Sequence, residues 1–346
     1  MSERPLVLSP LVIAHRGACA HLPEHTLAAY ARAIDDGADL IEPDLVMSRD
    51  GVLVARHENE IGATTDVADH PEFAARRTLK RIDGVPVEGW FTEDFTLAEL
   101  KTLRMRERLP QLRGIAHDGR YPIATLEEIL GLLAAAVAAG RRVGLIPEIK
   151  HGTYFRSLGL AMEQPLLDLL AAHPCTRTLP VVIQSFEVAN LRWLRERLDG
   201  RPNVRLLQLL DAPQAQPFDV QAAGGALRYA DLASPRGLRE VAHYADAVGP
   251  WSRAILPLDA RGALAVPTPL VADAHAAGLE VHAWTFRPEN AFLPPALWKG
   301  DAPATVNADG SIAEMAAHLA AGVDALFTDD PALGRRAVAR AQGWLP

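Results

Sequence analysis

Residues 13–58 read IAHRGACAHLPEHTLAAYARAIDDGADLIEPDLVMSRDGVLVARHE. His15 and Arg16 close one apolar run, Glu42 and Asp44 lie in the next, and His57 follows soon after. A later run, RVGLIPEIK, adds Glu148 and Lys150. Three carboxylates brought to one place repel one another, and a divalent cation is the physical remedy. An all-oxygen ligand set, Glu42, Asp44 and Glu148, points to a hard ion, Ca2+ or Mg2+. Without the ion, Arg16 and Lys150 leave such a pocket net negative; with it, the pocket turns positive and attracts a phosphate. Arg16 suits a bidentate grip on phosphate and Lys150 adds a compact charge. Two imidazoles, His15 and His57, can divide the removal and delivery of protons when a phosphate ester breaks. Which is acid and which is base is not set by the sequence. A lone strand histidine is more often a structural donor, and a Glu-x-Asp pair is more often a surface feature. Neither explains five such groups at the ends of apolar runs, where desolvation is expensive.

Those groups need a frame. Short apolar runs at 11–15, 39–45, 142–150, 180–186, 204–210, 246–250, 280–286 and 324–330 alternate with amphipathic stretches. Gly37, Gly140, Gly200 and Gly278 fall where helix C-caps belong, and Thr125 with Glu128 reads as a capping box. Alternation of this kind means a parallel sheet. One run breaks it. VLVARHE (52–58) follows its predecessor after only Arg49-Asp50-Gly51, too short for a parallel crossover. It is expected to double back as a hairpin arm that brings His57 roughly opposite Glu42. Eight parallel strands remain, the number a closed (β/α)8 TIM barrel needs. Reactive groups of such a barrel sit at the C-terminal ends of its strands, where these residues fall. An open doubly wound sheet is the alternative, but no glycine-rich phosphate loop is present. Residues 61–122 are charged and turn-rich and carry Trp90, Phe91 and Phe95. They are expected to be a small inserted cap with its own mini-core, the barrel comprising 1–60 and 123–346.

The 346 residues suffice for one large barrel with an insertion, and 35 basic against 43 acidic residues give a net charge of −8. That balance argues against a general nucleic-acid surface. The small-molecule substrate needs no macromolecular partner, and a homodimer is compatible with the sequence. Cys19 and Cys175 exclude a disulfide framework, leaving two thiols or a single bridge. No apolar run is long enough to span a bilayer. A signal peptide does not fit before His15, so the chain as written reads as cytoplasmic, or as periplasmic or secreted if a signal has been removed.

HRGA, PEHT, GADLIEPDLVMSRDGVLVARHE and PEIK together resemble the glycerophosphodiester phosphodiesterase family, and more loosely so do QSF, HAWTF and GVDALFTDDP. The insertion is similar to that of the bacterial periplasmic members. The resemblance implies a TIM barrel of the phospholipase-C-like phosphodiesterase type with a small inserted domain. It implies Glu42, Asp44 and Glu148 as metal ligands, His15 and His57 as the acid/base pair, and Arg16 and Lys150 on phosphate. It also implies release of sn-glycerol 3-phosphate and an alcohol such as choline or ethanolamine, the neighbouring glycerol hydroxyl attacking first through a cyclic phosphate. Members similar to this one commonly use calcium. Two positions depart from the pattern, His25 in place of Asn and Glu58 in place of Asp. Trp284 is a candidate lining of the alcohol pocket, against barrel packing. Glu24 is read either as orienting a ligand or as favoured by a helix dipole. Gln184 and Asp329 carry no assignment. A phospholipase on intact lipid, of sphingomyelinase D or phosphatidylinositol-specific type, is the competing enzyme reading, disfavoured by polar loops. A non-catalytic phosphate-binding barrel predicts loss of a key residue, and none is lost. A serine or cysteine nucleophile finds no motif.

Overall fold

The computed structural model describes residues 9–198 and 200–343. Its strands are β1 (Leu11–His15), β2 (Leu40–Glu42), β3 (Asp44–Met47), β4 (Leu53–Ala55), β5 (Thr78–Ile82), β6 (Val85–Gly89) and β7 (Gly144–Leu145). There follow β8 (Glu148–Ile149), β9 (Val181–Ser185), β10 (Val204–Leu210), β11 (Ala247–Pro250), β12 (Glu280–Phe286) and β13 (Ala325–Thr328). Parallel pairing runs β1–β2–β7–β9–β10–β11–β12–β13 and closes back on β1. The eight expected runs are thus the eight staves of a (β/α)8 barrel.

Two staves are broken where the sequence suggested continuous strands. Pro43 separates β2 from β3, and Pro147 separates β7 from β8. Proline has no N–H to give the ladder. Its carbonyl still accepts: Glu148 N donates to Pro43 O and Gln184 N to Pro147 O, both at 2.9 Å. Beyond the prolines, β3 pairs with β8, and β4 folds back antiparallel on β3. The hairpin arm is therefore present, with Leu45 opposite Ala55. That register carries His57 to Pro43, one residue from the expected Glu42. The slip arises because Gly51, at φ +77°, closes a loop of three residues rather than two.

Inside the barrel, Ile13, Leu40, Ile146, Val182, Leu207, Leu209 and Phe327 form an apolar plug. Side chains alternate along a strand, so residues two further on form the next layer towards the C-terminal mouth. Ile13 leads to His15, Leu40 to Glu42, Ile146 to Glu148, Val182 to Gln184 and Phe327 to Asp329. The polar site stands on the apolar plug.

The larger core lies between staves and helices. Thr26 caps helix Leu27–Asp35, and the Thr125–Glu128 capping box opens helix Leu126–Ala138 as expected. Residues 61–122 contain an antiparallel hairpin, β5–β6, turning at Asp83–Gly84. The expected separate mini-core is not what forms. Phe73 and Phe95 meet edge to face at 5.0 Å and join the barrel's own core through Val67, Leu100 and Met105. So short a segment encloses too little apolar volume to stand alone. Cys19 and Cys175 are free thiols. No described helix is long and apolar enough to cross a membrane.

Candidate active site

All eight residues singled out by the sequence line one cavity at the C-terminal mouth: His15, Arg16, Glu42, Asp44, His57, Glu148, Lys150 and Trp284. Gln184, Phe186, Thr285 and Arg287 complete much of its wall.

Glu42, Asp44 and Glu148 each offer a carboxylate oxygen, and these oxygens lie within 4.8 Å of one another. All three side chains are buried. Gln184 Nε2 donates to Glu42 Oε1 at 2.9 Å, and the Arg16 backbone N–H to Glu42 Oε2 at 3.0 Å. Asp44 Oδ2 accepts from His25 Nε2 at 2.9 Å, while His25 Nδ1 meets the Tyr30 hydroxyl at 2.7 Å. His25, which departs from the family pattern, thus orients a carboxylate from full burial. Asp44 Oδ1 is buried with no hydrogen-bond partner among the described residues. An orphaned carboxylate oxygen aimed among two further carboxylates fits a hard cation.

The electrostatics agree. Burial, with the neighbouring Asp44 and Glu148 charges, holds Glu42 well above the usual carboxylate range. Burial also pushes Glu148 up to about 8, although Lys150 Nζ, 2.9 Å from its Oε1, resists. Asp44 goes the other way: burial would raise it, but Lys150 and His25 hold it low. A group raised in the fold stabilises below its unfolded value and loses that stability as pH rises through its folded value. The cation-free protein should therefore melt at progressively lower temperature from about pH 6.5 to 8, where ordinary surface carboxylates are already ionised and Glu148 still titrates. Added Ca2+ or Mg2+ should raise the melting temperature more at the upper end of that window than at the lower, because ligands must lose their protons to bind. Melting curves with and without cation check both signs.

The two imidazoles are held alike. His15 Nδ1 faces Asp329 Oδ1 at 2.6 Å, and His57 Nδ1 faces Glu58 Oε1 at 2.5 Å. A carboxylate only accepts, so each Nδ1 carries the proton and each Nε2 is left for other partners. Burial and the adjacent Arg16 charge lower His15 to about 4, against the pull of Asp329. Burial lowers His57 as well, helped by Arg16 and Lys150. Both rings are therefore neutral at about pH 7 before an anion arrives.

Arg16 adopts φ +56°, a left-handed conformation that turns its side chain into the mouth. Its Nη1 donates to Glu24 Oε2 at 2.9 Å, and its Nε lies 3.3 Å from Asp44 Oδ2. Glu24 thus holds the Arg16 guanidinium in place. Trp284 donates Nε1–H to Gly249 O at 2.7 Å and meets Phe186 edge to face at 6.0 Å. It packs in the barrel and lines the cavity at once.

Several site residues lay outside the sequence assignment. Asp329, Gln184 and Arg287 belong to the site, and so do Arg108 and Arg113 from the segment 61–122. The two-residue alternation from Phe327 to Asp329 is a signal for the first of these.

Residues 15–333 match the model of the Glycerophosphoryl diester phosphodiesterase family. The chain is 36% identical over 306 residues to a glycerophosphodiester phosphodiesterase of Arabidopsis thaliana, covering 84% of this chain and 78% of that one. A glycerophosphodiester phosphodiesterase of Haemophilus influenzae is 30% identical over 305 residues, covering 83% and 81%. Among solved structures, an Oleispira antarctica phosphodiesterase in complex with the product sn-glycerol-3-phosphate superposes with a TM-score of 0.55 at 20% identity. It covers 95% of this chain and 97% of that one, and the likeness is one of fold.

Proposed function

The chain belongs to the glycerophosphoryl diester phosphodiesterase family, and from that premise we propose that it hydrolyses glycerophosphodiesters with a cationic alcohol, such as glycerophosphocholine and glycerophosphoethanolamine, to sn-glycerol 3-phosphate and the alcohol. It is a phosphoric diester hydrolase. The observation that carries the reading is the pair of imidazoles, each fixed through Nδ1 to a carboxylate, in the cavity that also holds Arg16, Lys150 and three clustered acids.

Arg16 and Lys150 bind the phosphate oxygens. One imidazole takes the proton of the attacking oxygen on Nε2. The other, protonated, gives one to the departing alcohol oxygen, so that the P–O bond breaks without releasing an alkoxide. The carboxylates of Asp329 and Glu58 stabilise the imidazolium that each ring forms in turn. Glu42, Asp44 and Glu148 would hold one Ca2+ or Mg2+, which when bound supplies positive charge against the phosphate oxygens.

A second cavity continues from the first past His57, Lys150, Phe186 and Trp284. Tyr229 meets Phe186 edge to face at 6.3 Å, and Asp83, Glu187 and Asp211 add carboxyl groups to its wall. Aromatic faces beside carboxylates suit an ammonium head group. The test is a coupled assay of glycerol 3-phosphate release from glycerophosphocholine and from glycerophosphoglycerol. Trp284→Ala should raise KM for the choline ester by about 2–30-fold, the range of one cation–π contact, and change the neutral ester less. Equal effects on both esters would overturn the head-group assignment; no release from either would overturn the substrate class.

A further inference from the structure

The insertion sends one short segment, Glu107–Arg113, to the barrel mouth, and its two arginines end on different carboxylates. Arg108 donates Nη1–H to Glu58 Oε1 at 3.1 Å and Nη2–H to Glu58 Oε2 at 2.6 Å. It also donates Nε–H to Glu24 Oε2 at 2.7 Å and Nη2–H to Glu24 Oε1 at 2.6 Å. Arg113 donates Nη2–H to Asp329 Oδ2 at 2.6 Å, Nε–H to Glu289 Oε1 at 2.6 Å and Nη1–H to the Cys19 carbonyl at 2.8 Å. Glu58 and Asp329 are the carboxylates that hold the Nδ1 atoms of His57 and His15.

We propose that Arg108 and Arg113 are positioning residues for the reaction, each fixing one of the two imidazoles through the carboxylate between them. The proposal rests on the acid/base reading of His15 and His57. Its physical basis is geometric. A carboxylate can fix a ring only if the carboxylate is itself fixed, and both Glu58 oxygens and the second Asp329 oxygen end on these guanidinium groups. Glu58 is the more dependent of the two. Its side chain is 40% exposed, and Arg108 is what ties it down against rotation into water. Asp329 is buried and keeps a second cation, Arg287 Nε at 3.0 Å. One stretch of chain thereby reaches both imidazoles. Arg108 also braces Glu24, and through it Arg16, so its loss should touch phosphate binding as well.

Kinetics of single and paired variants in the full chain test this. Arg113→Met should lower kcat by about 10–100-fold, the usual cost of removing an outer partner, with KM for glycerophosphocholine changed less than about threefold. Arg113→Lys should recover part of the loss. Added to Asp329→Asn, Arg113→Met should cost little more, because the two act along one path; added to Glu58→Gln it should multiply. Arg108→Met should lower kcat and raise KM, and its kcat loss should vanish in Glu58→Gln. If a Met variant does not fold, the Lys variant carries the same cycle. Unchanged kcat in the arginine variants, or full multiplication within each arginine–carboxylate pair, overturns the proposal. If His15→Ala and His57→Ala keep wild-type kcat, the acid/base reading itself fails; if they are silenced while the arginine variants are not, only the positioning role falls.

Discussion

Alanine at His15 or His57 is expected to lower kcat by about 100–10,000-fold, the usual contribution of one general acid or base. The fold should survive both changes. Asp329 keeps Arg113 and Arg287 when the His15 ring is gone, and Glu58 keeps Arg108 when the His57 ring is gone. Neither carboxylate is left as a buried, unpaired charge, which is the usual route to a large loss of stability. Circular dichroism and melting curves should match wild type while turnover collapses. Wild-type kcat in either variant would remove that ring from the chemistry.

Glu42→Gln should move stability and activity in opposite directions. Glutamine keeps the shape of the side chain and an oxygen that accepts the Arg16 N–H. It removes a carboxyl group whose ionisation burial and the Asp44 and Glu148 charges oppose, so the cation-free protein should melt higher at about pH 8. It also removes a ligand charge, so cation affinity should fall by at least about 10-fold, the smallest usual cost of losing even an outer partner, and activity at limiting cation with it. Chelator should silence the wild type, and Ca2+ or Mg2+ should restore it. A variant that is both less stable without cation and equally active at limiting cation would count against a metal role for Glu42. Calorimetric titration and melting curves read the two halves separately.

The staves, the hairpin arm and the eight residues of the cavity were legible because period-two alternation and strand-end placement are local in sequence. Asp329 was within reach of the same rule, two positions beyond the inward-facing Phe327. The turn at Asp83–Gly84 also carries a local hairpin signal, Asp-Gly between alternating residues. The breaks at Pro43 and Pro147 follow from proline chemistry alone. Arg108 and Arg113 were not legible. Arg108 sits in irregular chain and Arg113 ends a single helical turn, Pro110–Arg113, and no periodicity links them to Glu58, 50 residues away, or to Asp329, 216 residues away. Nor did the sequence show that His25 would orient Asp44, since that contact depends on how the first loop folds under the strand.

The first and last staves are hydrogen-bonded neighbours, and the His15–Asp329 contact spans 314 positions of the chain. A ribosome therefore delivers both imidazoles and all three acids long before it delivers the stave that seals the ring. A polypeptide still being made carries these side chains without the vessel, and they are gathered into one cavity only once Ala325–Thr328 has docked between its two neighbours.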